Sequence, residues 1–244
     1  MQATHFEFRF RIWIAVLLYL LGFWAPWTRY GNVPPDTTAW LALSTTLANW
    51  HWLPLDKATL LVTILAIVCT FLGAALRIWG TAWLGSSIVH ASAMQAASVT
   101  AGGPYRFVRN PLYIGAVFFA LGVSILMPPS GAAVFIPLIA IFYFRLILGE
   151  EAYLAQQLGA PYLEYRRLVP RLLPSLRSRV PAPAAHARWL EGAVAECMMI
   201  GYAVCFAILA WRYQPDLLER CLLVCFGISL IARALLPREG AAAA

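Results

Sequence analysis

The sequence predicts an all-α protein, a polytopic membrane helix bundle with about six transmembrane helices. Three observations carry that prediction. Of the 244 residues, 61% are hydrophobic and only 12% charged, and mean hydropathy is +0.72. A soluble domain carries about 25% charged residues, so lipid must act as part of the solvent here. Uncharged runs of spanning length recur along the chain. Finally, the net charge of +7 comes from 17 arginines and a single lysine, Lys57, gathered mostly between those runs. Positive charge placed this way anchors a membrane face and argues against a nucleic-acid surface.

Arg9 and Arg11 precede an apolar stretch over residues 12–27, read as a retained first span because no small-residue cleavage site follows it. It ends in an aromatic belt of Trp24, Trp27 and Tyr30. Residues 28–56 are interrupted by Pro34, Pro35 and Pro54, and Trp40, Trp50 and Trp52 predict a helix lying on the membrane. Residues 58–76 are uncharged for 19 positions, a span that Arg77 is expected to stop. Residues 78–103 read as a short interfacial helix followed by a loop.

Residues 112–144 carry no charge for 33 positions, and Pro128, Pro129, Ser130 and Gly131 divide them into a hairpin of two helices. Residues 150–191 form the long hydrophilic stretch. A further span is expected over 192–211, with Glu196 near its start, and a weaker one over 221–232. The tail, 241–244, is expected to be unstructured. The chain thus divides into N-terminal membrane helices (residues 1–100), a core with the hairpin (101–180) and a C-terminal linker with two more helices (181–244).

Arg9, Arg11, Arg77, Arg106, Arg109 and the basic stretch after Glu150 fall on one side of this topology, against Arg29, Lys57, Arg212 and Arg220 on the other. The bias places both termini in the cytoplasm, with a prokaryotic inner membrane as the expected location. The five cysteines lie in apolar runs without a CxxC pair and read as buried thiols, with no metal cluster.

Two clusters break the pattern of apolar span and basic anchor. The first runs from Gly102 to Tyr113 and holds Arg106, Arg109 and Asn110. Pro111 suits the first position of a helix, which leaves free N–H groups beside Asn110 and two arginines, a setting for an electron-rich group. A membrane-entry cap with snorkelling arginines is the plainer reading of the same residues. The second cluster is Gly149-Glu150-Glu151, expected at the end of the hairpin's second helix. Adjacent carboxylates there oppose the helix dipole and call for cations. They point about 100° apart, so one is expected to face a ligand cation and the other Arg106, Arg109 or a downstream arginine. The hairpin brings both clusters to one membrane face.

Residues 102–174 resemble the core of the isoprenylcysteine carboxyl methyltransferase and phospholipid methyltransferase family. The matching pieces are Gly103-Pro104-Tyr105, Arg109-Asn110-Pro111-Leu112-Tyr113, Glu150-Glu151, Gly159-Ala160-Pro161-Tyr162-Leu163-Glu164-Tyr165 and Val169-Pro170-Arg171. Arg77-Ile78-Trp79-Gly80 through Leu84-Gly85 resembles the segment before that core. The resemblance implies S-adenosylmethionine bound at the cytoplasmic face and an apolar, lipid-like acceptor entering from the bilayer. It implies that Tyr105, Asn110, Pro111, Leu112, Tyr113 and Glu150 hold the cofactor, with His90 and residues 97–100 as further contacts. An acceptor carboxylate would be aligned by Arg145 or Arg109, and Glu151 would take a proton from an amine or hydroxyl acceptor. An isoprenylcysteine-type carboxylate is the favoured acceptor, ahead of a phospholipid amine, a phenolic lipid or a small thiol.

The chain departs from the family pattern twice. Asn110 stands where the family has histidine, and an amide carries no proton near neutral pH. Leu146 stands where the family has an arginine, with Arg145 one residue earlier and about 100° away around the helix. The first departure keeps open an inactive scaffold. A nicotinamide-dependent membrane reductase is disfavoured by the paired glutamates, and a transporter by the scarcity of charge deep in the spans.

Overall fold

The computed structural model describes residues 2–24, 37–85, 101–181 and 186–235. The expectations for Trp27, Tyr30, His90, residues 97–100 and the tail lie outside the described residues. All regular structure among the described residues is helical. The α-helices are α1 (His5–Arg9), α2 (Arg11–Trp24), α3 (Ala39–Asn49), α4 (Leu55–Leu84), α5 (Pro111–Ser124), α6 (Pro129–Leu158), α7 (Ala160–Leu168), α8 (Trp189–Ala195), α9 (Cys197–Leu209) and α10 (Pro215–Leu235), with 3-10 turns at Gly103–Arg106 and Ala210–Arg212.

Two of these, α4 and α6, are long and apolar enough to cross a membrane, and α8 with α9 makes a third span if the 73° bend between them is counted as a break within one segment. α2 and α5 are shorter apolar helices. On α4, Leu61, Ile64, Leu65, Val68, Phe71 and Leu72 are exposed, a stripe that only a lipid environment can cover. The protein is an integral membrane protein.

The centre of the bundle is the α4–α5 contact, and it depends on glycine. A Cβ on Gly73 would lie 2.7 Å from the Gly115 carbonyl oxygen, and one on Gly122 would lie 2.8 Å from the Ala66 carbonyl oxygen. Small residues let two membrane helices approach along their backbones, where packing rather than hydrophobic exclusion holds them. α2 packs on α6 through the Tyr19 and Phe135 rings, 4.7 Å apart. α3 closes the hairpin turn: its Ala39 and Trp40 amides donate to the Met127 and Ile125 carbonyls at 2.7 and 2.8 Å, and Trp40 Nε1 donates to Thr63 Oγ1 on α4 at 3.0 Å.

Three expected boundaries are corrected. Arg77 does not stop the second span, because α4 runs on to Leu84. Its charge is matched inside the bundle by Glu196, which accepts from Arg77 Nε and Nη2 at 2.7 and 2.8 Å and from Thr81 Oγ1 at 2.9 Å. The hairpin's second helix does not end at the paired glutamates. It continues two turns to Leu158 and stops at Gly159, whose φ is +59°. The expected C-terminal span over 192–211 is broken at Glu196, where α8 meets α9.

Candidate active site

A cavity of about 510 Å³ opens between α2, the α5–α6 hairpin and the C-terminal helices. Its polar end is built from the two clusters singled out in the sequence. Tyr105, Arg109, Asn110, Pro111, Leu112, Tyr113, Glu150 and Glu151 all line it. Arg145 does not, whereas Leu146 does.

Local backbone chemistry explains how Tyr105 reaches this position. Gly103 adopts φ +51° at the start of its 3-10 turn, and a Cβ there would run into the Trp83 indole. The turn therefore nests under the end of α4. Residues 166–180 then strap over it: Arg109 N donates to Pro170 O at 2.9 Å and Ser175 N to Phe107 O at 2.9 Å. Tyr165 Oη donates to Tyr105 O at 2.8 Å, and Arg106 Nε to Val180 O at 3.1 Å. The Gly-x-x-Tyr-x-x-Tyr and Val-Pro-Arg pieces are thus the clamp on the first cluster.

Glu151 is 5% exposed and heavily partnered. Arg171 Nε and Nη2 donate to its Oε2 at 3.1 and 2.9 Å. Arg109 Nε lies 3.2 Å from Oε1 but is not aligned to donate, and Asn110 Nδ2 donates to Oε1 at 3.1 Å. The same Asn110 nitrogen donates to the Arg171 carbonyl at 3.2 Å. One amide nitrogen supplies both bonds, which a single nitrogen of a neutral imidazole cannot do. Hydrogen bonding to Glu151 holds the Arg171 guanidinium's pKa above its ordinary value.

Glu150, one residue earlier, lines the cavity together with Tyr113. The Tyr113 and Tyr143 rings stand 5.9 Å apart on the same wall. Tyr105 is 7% exposed, and its hydroxyl is buried without a hydrogen-bond partner among the described residues. Burial first, and then Glu150, push that phenol well above its usual pKa, so it is a donor throughout the physiological range. A buried donor left without a partner is costly and marks a place for a ligand acceptor.

Arg145 lies elsewhere. Its Nε and Nη2 donate to Glu7 Oε1 and Oε2 at 3.0 and 2.9 Å, and its carbonyl accepts from Ala3 N at 3.0 Å. Sequence reasoning passed over three lining groups. Arg11 and Arg77 read as anchors flanking apolar runs, and the C-terminal Met198, Met199, Leu222 and Phe226 carry no motif. Only the order of packing reveals them. Among the described residues, no group of three or more His, Cys, Asp or Glu side chains is arranged to hold a metal ion.

Comparison with known proteins agrees with the motif resemblance. The family model for phospholipid methyltransferases matches residues 61–160, a stretch that ends at the start of α7. The chain is 36% identical over 73 residues to the protein-S-isoprenylcysteine O-methyltransferase of Schizosaccharomyces pombe, covering 30% of this chain and 31% of that protein. It is 28% identical over 175 residues to methanethiol S-methyltransferase 1 of Bradyrhizobium diazoefficiens, covering 62% and 59%. It is 30% identical over 116 residues to the protein-S-isoprenylcysteine O-methyltransferase of Saccharomyces cerevisiae, covering 46% and 48%. The matches therefore span between 31% and 59% of these relatives' lengths. No solved structure matches the chain significantly. The stretch similar to phospholipid methyltransferases takes in most of α4, all of α5 and α6, and the 3-10 turn that carries Tyr105, and so contains much of the cavity's polar end.

Proposed function

We propose that the protein is a membrane methyltransferase that moves a methyl group from S-adenosylmethionine to an apolar acceptor bearing a carboxylate, of the isoprenylcysteine type. The observation that carries this reading is the cavity itself: an unpartnered Tyr105 hydroxyl and the Glu150 carboxylate at one end, and apolar walls along the rest.

The residues fit the cofactor's charges. Glu150 suits an α-amino group, Tyr105 suits a carboxylate oxygen, and the Tyr113 and Tyr143 rings offer π faces to a sulfonium. S-Adenosylmethionine, when bound, would supply an electrophilic methyl carbon on a sulfonium, with the carbon–sulfur electron pair left on a neutral thioether as the acceptor's lone pair takes the methyl group. The protein's part is binding, orientation and exclusion of water. α2, α9 and α10 supply the apolar walls of the cavity.

The carboxylate acceptor is favoured by what Glu151 is doing. A carboxylate takes a methyl group without losing a proton, whereas an amine or hydroxyl must give one up. Glu151 is already committed to Arg171, Arg109 and Asn110, which makes it an anchor of the clamp rather than a base. Asn110 shares that positioning role, so the missing histidine does not remove the chemistry.

The reading includes an orientation and six spans. Arg109 and Arg171 meet at Glu151 and Arg11 lines the same cavity; the positive-inside rule then favours a cytoplasmic polar end, with both termini on that side.

Calorimetric titration of S-adenosylhomocysteine into the detergent-purified chain tests the proposal. Binding that weakens about tenfold or more in Tyr105→Phe and Glu150→Gln supports it. Equal binding in all three proteins, or none in a folded wild type, removes it.

A further inference from the structure

Three arginines line the cavity: Arg11, Arg77 and Arg109. Arg77 pairs with Glu196, Arg109 with Glu151, and Arg11 donates to the Phe8 carbonyl. Arg11 stands at the head of α2. Below it, Ala15, Tyr19 and Phe23 form one row of that helix and Ile12, Val16 and Leu20 the adjoining row, and all of them line the cavity. Residues four apart share a face, so the cation heads an apolar trough. At 1.5 Å per residue the trough is roughly 20 Å long from Arg11 to Trp24. Arg11 also lies near enough to Glu150 and Tyr113 to act on both electrostatically.

We infer that Arg11 reads the anionic head group of the acceptor, and that Arg145 is a positioning residue that holds Arg11 in place through Glu7. The inference deepens the methyltransferase reading and rests on it for the identity of the second ligand. A ligand whose body lies along the α2 trough brings its head to Arg11, in the cavity that Glu150 also lines. A cation and an anion lining one cavity suit a bound pair of opposite sense, an acceptor carboxylate and the cofactor's ammonium. The guanidinium has five donors in a planar fork, so its bond to the Phe8 carbonyl at 3.2 Å is compatible with gripping a carboxylate. Stacking over the Phe8 ring, 4.2 Å from its centroid, fixes the plane of that fork.

Phe8 belongs to α1, and α1 is tied to α6 by the two Glu7–Arg145 hydrogen bonds and by Ala3 N donating to Arg145 O. The α6 face that carries Arg145 therefore acts on the cavity indirectly. It sets where Phe8 lies, and Phe8 sets where Arg11 points. A family arginine expected on α6 is in effect replaced by one delivered from α2.

The test uses the full chain in detergent with two probes, N-acetyl-S-farnesylcysteine and its uncharged primary amide, and with S-adenosylhomocysteine titrated separately. The wild type is expected to prefer the carboxylate probe over the amide by about tenfold or more. Arg11→Gln should abolish that preference, Arg11→Lys should keep part of it, and both should bind the amide as the wild type does, which shows that they are folded. Arg145→Gln should reduce the preference and Arg145→Lys restore part of it. A preference that survives Arg11→Gln overturns the inference, as does a wild type that binds both probes alike. If S-adenosylhomocysteine fails to bind while the Arg11-dependent preference holds, the methyltransferase reading falls and the head-group site stands.

Discussion

Arg77 and Glu196, 119 positions apart in the sequence, form a forked ion pair inside the bundle, with Nε and Nη2 donating at 2.7 and 2.8 Å to a carboxylate that is 2% exposed. The pair fastens the C-terminal helices to α4 at the bend between α8 and α9. Those helices lie beyond the matched family stretch, yet their Met198, Met199 and Phe226 line the cavity. The ion pair thus helps to seat this wall of the cavity against α4.

Removing one partner strands a buried charge, which costs about 3–5 kcal/mol, whereas replacing both by apolar groups is often nearly neutral. Glu196→Leu is expected to lower the thermal midpoint of the detergent-solubilised protein markedly. Arg77→Met with Glu196→Leu should recover most of the loss. Scanning fluorimetry of the two variants checks this, and equal destabilisation of single and double variants would mean that the charges are solvated after all.

The α4–α5 approach makes a steric prediction. A Cβ on Gly73 would meet the Gly115 carbonyl oxygen and the Phe119 nitrogen at 2.7 Å, and both are backbone atoms that cannot rotate away. Gly73→Ala should force the helices apart and cost about 1–3 kcal/mol. Gly227→Ala on α10, where an added Cβ meets nothing within 4 Å, should be neutral or slightly stabilising. The folded fraction recovered from membranes, measured for both, separates close packing from a general intolerance of side-chain volume.

How much of this was legible in the sequence depends on distance along the chain. The hairpin was readable because 33 uncharged residues are interrupted by two prolines and a glycine, and the polar cluster because its pieces are contiguous. A charge at the edge of an apolar run is ambiguous: it ends a span if water solvates it, and continues one if a distant residue neutralises it. Arg77 took the second course with Glu196, and Arg145 found Glu7 at a separation of 138. Neither partner is marked by spacing. The paired glutamates sit mid-helix for a related reason, since Arg171 and Asn110 neutralise and bond Glu151 and let α6 continue to Leu158.

Asn110 offers a test of positioning. Its amide nitrogen bridges Glu151 and the Arg171 carbonyl. Asn110→Ala should lose both bonds, destabilising the clamp by about 1–3 kcal/mol because buried acceptors are left unmade, and should weaken S-adenosylhomocysteine binding. Asn110→His keeps one donor and should fall between the two. A fully active Asn110→Ala protein would assign the amide no part in holding the site.

The clasp between α1 and α6 should respond to acid. The Arg145 guanidinium, with the Thr4 backbone bond next in weight, lowers the Glu7 pKa from 4.5 to about 2. A carboxylate whose pKa is lowered by folding stabilises the folded arrangement above its unfolded value, and that contribution is lost as pH falls through the folded value. The Glu7 contribution to the attachment of α1 should therefore be complete above pH 4.5 and be lost between about 4.5 and 2. Hydrogen exchange of the amides of residues 3–10, followed across that window, is expected to show protection falling with acid in the wild type. Glu7→Gln should show low protection that does not change with pH. Since Phe8 carries Arg11, the same substitution should also weaken discrimination between the carboxylate and amide probes at neutral pH, which ties the acid response to the head-group site through a single side chain.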